Sequence, residues 1–186
     1  MNRKSVVPTV FLTIIALFVL TVSGNAFGWD PRKEQSLIEH SNEAIQAFKE
    51  KDSTLQVFFD EAVGWVVYPT VAKGAVGIGA ATGSGVVYNA AGDLLGKSRI
   101  TQVTIGFQLG GQAYSEIVFF ETENDLNHFK GGNLEFAAQA SAVAVTARAA
   151  ADANYEKGVA IFTMAKGGLM YEASIGGQKL SFEPLD

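Results

Sequence analysis

"GAVGIGAATGSGVVYNAAG", residues 74–92, decides the fold class, because five of its first twelve residues are glycine. They are Gly74, Gly77, Gly79, Gly83 and Gly85. A dinucleotide-binding turn needs G-x-G-x-x-G before a helix, and a P-loop needs G-K-[ST] after its last glycine. This run leads into the strand-like "SGVVYN", and its lysine precedes the glycines. The stretch therefore does not fit a phosphate-binding loop.

The same glycines fit a β-sheet better. Positions 77, 79, 83 and 85 are all odd-numbered, so in continuous strands these glycines would lie on one face. A face without side chains allows another backbone, a helix or a ligand to approach closely. Within this stretch, "TGSG" at 82–85 is predicted to form the bend of a hairpin.

Two amphipathic helices are predicted before the glycines. Pro31 suits the first position of a helix that Asp30 caps, and Ser53 with Gln56 fits a capping box for the second. Apolar residues repeat at helical spacing in both segments. The stripes are Leu37, Ile38, Ala44, Ile45 and Phe48, and then Leu55, Phe58, Phe59 and Ala62.

Strands are predicted from residue 64 onward, where the apolar period changes from 3.6 to 2. "GWVVYP" predicts a strand that stops at Pro69. "RITQVTIGFQL", residues 99–109, alternates as a half-buried strand, with Val103, Ile105, Phe107 and Leu109 on one face and Gln102, Thr104 and Gln108 on the other. Gly110-Gly111 is then a turn, and "QAYSEIVFFE" returns as the hairpin partner.

The last third of the chain predicts one short helix and several strands. Thr122 and Asp125 resemble the cap of the helix, and Gly131 its stop. For the alanine-rich segment, helix propensity and the surrounding β pattern disagree, and we predict a strand at 134–147. Two or three strands follow at 158–183, with turns at Gly167-Gly168 and Gly176-Gly177. The expected fold is α+β, with two N-terminal helices packed on a curved, mainly antiparallel, glycine-rich sheet or partial barrel.

Residues 1–28 have the order of a secretory signal peptide. Arg3 and Lys4 precede an apolar run from Val6 to Val22, and small residues follow at Gly24, Ala26 and Gly28. The alternative is an uncleaved membrane anchor, although the run is near the lower length limit for a span. Cleavage predicts a periplasmic or secreted protein whose single domain is 29–186.

Net charge and cysteine content exclude some classes of partner and site. Cleavage would remove only Arg3 and Lys4 from the charge count, changing the net charge from −5 to −7. Such an acidic domain repels phosphate backbones, so nucleic acid is not an expected partner. The chain has no cysteine, which excludes disulfides and thiolate metal sites.

"AVGWVVYPTVAKGAVGIGAATGSGVVY" resembles the opening of a SYLF domain, a family of lipid-binding and actin-binding domains. The matching residues are Ala62, Gly64, Trp65, Pro69, Lys73, Gly74, Gly83 and Gly85. "GFQLGGQAYSEIVFF" and "GGLMYEASIGG" resemble later motifs of the family, so that the resemblance spans about residues 33–182. The chain departs from the family at "AVAVTAR" and lacks a polybasic N-terminal segment.

The resemblance implies a lipid-binding, non-catalytic domain, here at the bacterial envelope, with no cofactor and with actin an unlikely partner. The candidate lipid-binding residues are Trp65 and Tyr68, on opposite strand faces, together with Lys73, Lys97 and Arg99. In this hypothesis acyl chains contact the surface near Trp65, and Lys73 or Arg99 meets a phosphate headgroup. Alternatively, Trp65 belongs only to the core and the basic residues are only solvated.

Two other functions stay open at this point. One is a structural or partner-binding envelope protein, whose sheet edge or glycine face docks another protein. The other is a hydrolase assembled from distant carboxylates. Catalytic motifs are scarce, because His40 and His128 have no metal-ligand spacing and Ser84 has no nucleophile-elbow context. We therefore expect no catalytic residue and no metal site.

Overall fold

The structure, a computed structural model, describes residues 31–76, 78–105, 110–132, 134–135, 141–167, 173–174 and 177–185. Residues 32–186 form one compact unit. The predicted signal peptide and Gly77 lie outside the described residues. No described helix is both long and apolar enough to cross a bilayer.

The described residues form an α+β fold with a mixed sheet. The helices are α1 (Pro31–Lys51), α2 (Gln56–Glu61) and α3 (Glu123–Lys130), with 3-10 helices at Ser53–Leu55 and Ala149–Asp152. The strands are β1 (Gly64–Val76), β2 (Ile78–Asn89), β3 (Leu94–Ile105), β4 (Gly110–Phe120), β5 (Ser141–Ala144), β6 (Val159–Ala165), β7 (Ala173–Ser174) and β8 (Gln178–Pro184). Their order is β7-β5-β6-β4-β1-β2-β3-β8, and only the β5–β6 pair is parallel.

The sheet curls so that distant strands meet. Gln178 on β8 donates from Nε2 to the hydroxyl of Tyr114 on β4 at 3.0 Å, although three strands lie between them. In a flat sheet those strands would be roughly 19 Å apart, at about 4.8 Å per step. Glu135 also bridges to Lys179 of β8, a few residues before β5 joins the other end of the sheet.

Each face of the sheet carries its own apolar core. Helices α1 and α2 cover the face that we call the outer face, where Phe48, Phe58 and Phe59 pack against Trp65 and Phe119. The predicted stripes of both helices lie in this cluster. Helix α3 packs on the opposite, inner face through Leu126 and Phe129. Its predicted cap is confirmed, since Thr122 and Asp125 form a capping box and Gly131 ends the helix.

The prediction that β1 stops at Pro69 is wrong. The strand runs on to Val76, and its register shifts between Val67 and Thr70 against β2, and between Tyr68 and Val71 against β4. Proline has no N–H to give to a ladder, and a bulge is the place where a central strand tolerates one.

Two predicted turns lie inside strands. "TGSG" at 82–85 pairs with β1 on one side and β3 on the other, and the chain reverses between Val76 and Ile78 instead. Gly110 and Gly111 pair with Ala75 and Gly74, which makes them part of β4. A glycine cluster fits a strand as well as a turn when neighbouring side chains cover it.

Three local predictions also need correction. Asp52, rather than Ser53, caps the second helical segment, because its carboxylate accepts from the Thr54 backbone. The strand expected at 134–147 is only Ser141–Ala144 among the described residues, and 136–140 lie outside them. On β3, Gln102 is buried and Val103 is 68% exposed, the reverse of a simple apolar-inside alternation.

Candidate functional site

The two predicted aromatic residues lie in the core on opposite faces, as their strand parity requires. Trp65 stacks on Tyr88 of the outer face, with ring centroids 6.0 Å apart. Tyr68 is fully buried on the inner face, and its hydroxyl lies 2.5 Å from Ser98 Oγ. Ser98 donates its single hydrogen to the Ser181 carbonyl, so Tyr68 is the donor to Ser98.

The three predicted basic residues do not meet on one surface. Lys73 pairs with Ala81, an inner-face residue. Lys97 and Arg99 alternate with the inward-facing Ser98 on β3 and therefore point to the outer face. There Lys97 forms a 2.9 Å ion pair with Glu34 of α1. The structure thus separates Lys73 from the other two by the thickness of the sheet, and lipid binding by these residues stays a prediction.

The glycine face has an occupant from the chain itself. A Cβ on Gly85 would lie 2.5 Å from the Tyr68 ring and 2.6 Å from the Val67 carbonyl oxygen. The ring crosses β2 at this point on its way to Ser98, which pairs with Gly85 from β3. Gly74, by contrast, has nothing within 4 Å of its Cβ position. Gly79 belongs to β2, while Gly77 is among the residues left undescribed.

A buried polar cluster, missed by the sequence analysis, lies beside Tyr68 on the inner face. Gln178 Nε2 donates to the Tyr114 hydroxyl and, at 3.2 Å, to Glu116 Oε2. Glu116 and Thr163, paired across β4 and β6, each keep a buried oxygen without a hydrogen-bond partner. Burial raises the pKa of Glu116 to about 8, because a charge there loses its hydration. Burial also raises the pKa of Tyr68 and of Tyr114, and the nearby Glu116 adds to both shifts.

An open pocket lies beside α2, on the outer face of the sheet. We call it the α2 pocket; its volume is about 550 Å³. Its apolar wall contains Val57 and Phe58 of α2, and its polar rim contains Glu61 and Glu121. The other lining residues are Thr54, Ala150, Ala151, Ala153, Asn154 and Tyr155.

Asp52 holds the two sides of this pocket together. One carboxylate oxygen accepts from the Thr54 backbone and hydroxyl, at 2.9 and 2.6 Å. The other accepts from the Ala150 backbone N–H at 2.7 Å, which ties the 3-10 helix Ala149–Asp152 to the start of α2. Burial alone would raise the pKa of Asp52, but the hydrogen bonds from Thr54 and Ala150 lower it below its usual range.

Tyr155 forms the aromatic side of the pocket. Its ring packs on Phe58, with centroids 5.4 Å apart, and its buried hydroxyl oxygen has no hydrogen-bond partner. Burial, with the charges of Glu61 and Glu121, raises the pKa of Tyr155 to about 12. Glu61, Glu121 and Tyr155 all line the same pocket. Within the described part of the chain, no three acidic or histidine residues are grouped as a metal site would require.

Two comparisons with known proteins find similarities, one over the C-terminal half of the chain and one over most of it. Residues 101–184 match the family Ysc84, described as "Las17-binding protein actin regulator". The chain is 26% identical over 135 residues to Beta cell expansion factor A of Aeromonas veronii. That alignment covers 73% of this chain and 51% of the relative, so the chain spans about half the length of the curated relative it matches.

The Ysc84 domain is the SYLF domain, so this match confirms the resemblance to the SYLF family. It begins after the glycine run that first indicated the family, and after α2. The polar cluster at Tyr114, Glu116 and Gln178 falls within the matched residues, as do Glu121 and Tyr155. The α2 side of the pocket, from Thr54 to Glu61, lies before them.

Proposed function

We propose that this SYLF-like chain is an exported lipid-binding protein of the bacterial envelope, and that lipid contacts it at the α2 pocket. The observation that carries the proposal is the pocket itself, which sets an apolar wall beside a polar rim. Phospholipids have the same division between acyl chain and headgroup. Val57, 52% exposed, extends the apolar wall to the surface.

The pocket is a better candidate than the residues selected from sequence. Trp65 and Tyr68 are enclosed in the two cores, and Lys97 is paired with Glu34. A lipid at those side chains would have to displace packed aromatic rings or an ion pair. At the α2 pocket Val57 and the carboxylates of the rim are already exposed, so a ligand reaches them without such a rearrangement.

Lipid binding is tested first by extraction. The full chain, expressed with its own N-terminus, should carry acyl chains that organic extraction and mass spectrometry detect. Flotation with phospholipid vesicles then tests the location. Val57→Asp should weaken vesicle binding by about tenfold, because it removes apolar area and places a charge against the acyl chains.

The chain offers a matched control for this substitution. Val103 is also a large exposed apolar residue, but it lies on β3 and not in the pocket. Val103→Asp should bind vesicles like the parent. Equal binding by the parent and both variants would place any lipid contact elsewhere, and absence of both acyl chains and vesicle binding would remove the lipid function.

Export is tested separately by N-terminal sequencing of protein recovered from the envelope fraction. We expect a mature N-terminus between Phe27 and Trp29. An intact Met1 would instead favour a retained anchor.

A second candidate function is binding of a protein partner in the envelope. The matching family is described by a protein-binding role, which supports this alternative. Crosslinking in cells followed by mass spectrometry distinguishes the two. A lipid-free protein that captures one envelope protein reproducibly would favour the partner-binding function.

A further inference from the structure

The α2 pocket has a negative rim and no basic lining residue. Glu61 ends α2 and Glu121 follows β4, and both side chains are exposed. No ion pair involves either carboxylate within the described part of the chain. None of the lining residues is a lysine, arginine or histidine. The electrostatic potential at the rim therefore favours a cationic group over an anionic one.

The wall next to these carboxylates suits the nonpolar part of such a ligand. Phe58 and Tyr155 place two tilted rings side by side, with an interplanar angle of 55°. Val57, Ala151 and Ala153 provide apolar contact at its surface.

We infer that the α2 pocket takes a ligand that combines a primary ammonium group, whose N–H bonds can donate to carboxylates, with an apolar segment. The nitrogen lies between the carboxylates of Glu61 and Glu121, and the apolar segment lies along Val57 and Ala151. Two sources carry this chemistry: the amine headgroup of a phospholipid such as phosphatidylethanolamine, and a free alkylamine. The inference rests on the proposed lipid function only for the first source. It also reverses the sign of the headgroup contact expected from Lys73 and Arg99.

A set of six-carbon probes tests the charge requirement. Titration of the isotopically labelled full chain should give a dissociation constant on the order of 1–10 mM for hexylamine. Hexanol, which has the same chain without the charge, should bind about fivefold more weakly, and hexanoate should not shift the pocket resonances. Added salt should weaken hexylamine and leave hexanol unchanged. Equal binding of hexylamine and hexanol would overturn the inference.

Neutral isosteres test the two carboxylates. The double variant E61Q/E121Q should bind hexylamine about fivefold more weakly than the parent and should lose most of the difference between hexylamine and hexanol. Both residues are exposed, so the variant should fold, and its amide spectrum provides that check. Glu50→Gln removes an exposed glutamate of α1 outside the pocket and should bind like the parent. A double variant with the affinity of the parent would refute the assignment.

Vesicles distinguish the sources. If the amine is a lipid headgroup, the parent should bind phosphatidylethanolamine vesicles more tightly than phosphatidylcholine or phosphatidylglycerol vesicles, and E61Q/E121Q should lose this preference. Binding of hexylamine without vesicle binding would assign the pocket to a free alkylamine and count against the lipid function. Vesicle binding that ignores headgroup and both glutamates would support the lipid function and overturn the ammonium inference.

Discussion

Glutamate occupies two opposite environments in this molecule. Glu116 is sealed between strands of the inner face, where one carboxyl oxygen has no partner. Glu61 and Glu121 are exposed to solvent at the rim of the α2 pocket. Burial holds Glu116 towards its neutral form. Glu61 and Glu121 lie at the surface, where a ligand can reach them.

The largest expected effect comes from the sealed glutamate. Its pKa rises from 4.5 to about 8 on folding, so between those pH values the folded chain holds a proton that the unfolded chain has lost. Stability should therefore fall as pH rises through this window, by up to about 1.4 kcal/mol per pH unit. At pH 8 Glu116→Gln should be more stable than the parent. Its free energy of unfolding, measured with urea, should also depend less on pH.

The exposed glutamate provides the matched control. Glu121→Gln makes the same substitution at an exposed position and therefore controls for the glutamate-to-glutamine change itself. A parent stability that stays constant from pH 5 to 8, after correction with Glu116→Gln, would contradict the sealed, neutral state of Glu116.

The next largest effect tests how tightly the inner face is closed. Gly85→Ala should lower the free energy of unfolding by about 2–3 kcal/mol, since its Cβ would overlap the Tyr68 ring and the Val67 carbonyl. Gly74→Ala, at an open position of β1, should change stability by less than about 0.5 kcal/mol. Urea midpoints measure both, and equal midpoints would mean that the ring does not lie over Gly85.

An intermediate effect tests how the pocket is built. Asp52→Ala should cost about 1–2 kcal/mol, because it removes a cap and leaves the Ala150 N–H without its acceptor. The folded-state pKa of Asp52 is lowered, so its contribution is present above pH about 4 and is lost as pH falls further. Asp60→Ala, an exposed change on α2, serves as the control and should cost less. If Asp52→Ala and Asp60→Ala lose the same free energy of unfolding, Asp52 has no special role in building the pocket.

The smallest effect concerns the α2 pocket, where we expect a change in the pKa of Tyr155 and no change in stability. Glu61 and Glu121 contribute to the raised pKa of Tyr155, after burial. In E61Q/E121Q the pKa of Tyr155 should fall from about 12 towards its ordinary value of 10 without reaching it. Titration of the labelled tyrosine ring by NMR reads this directly. An unchanged pKa would place the carboxylates too far away to act together.

Sequence periodicity predicts the apolar framework well. The stripes of Leu37 to Phe48 and of Leu55 to Ala62 need no tertiary information, because helical spacing alone brings their residues to one face. The α3 cap is equally local. The prediction that β1 ends at Pro69 is wrong because the relevant information is not local. A central strand tolerates a proline at a bulge, and the bulge is defined by the partner strands.

The polar interior could not be predicted from alternation. On β3 the rule assigns Val103 to the core and Gln102 to solvent, yet the inner face surrounds Gln102 because β8 pairs with it through Gln178. Glu116 is buried by the same curling of the sheet. The α2 pocket was missed because Asp52 and Ala150 are 98 residues apart, and no local pattern links them.

The most direct test of lipid docking at the α2 pocket is an amide chemical-shift map of the labelled full chain titrated with phospholipid bicelles. We expect the largest shifts at Val57, Ala151 and Asn154, with residues around Lys73 and Arg99 changing little. Shifts concentrated at Lys73 or Arg99, with a silent α2 pocket, would contradict the proposed site and restore the basic-headgroup hypothesis.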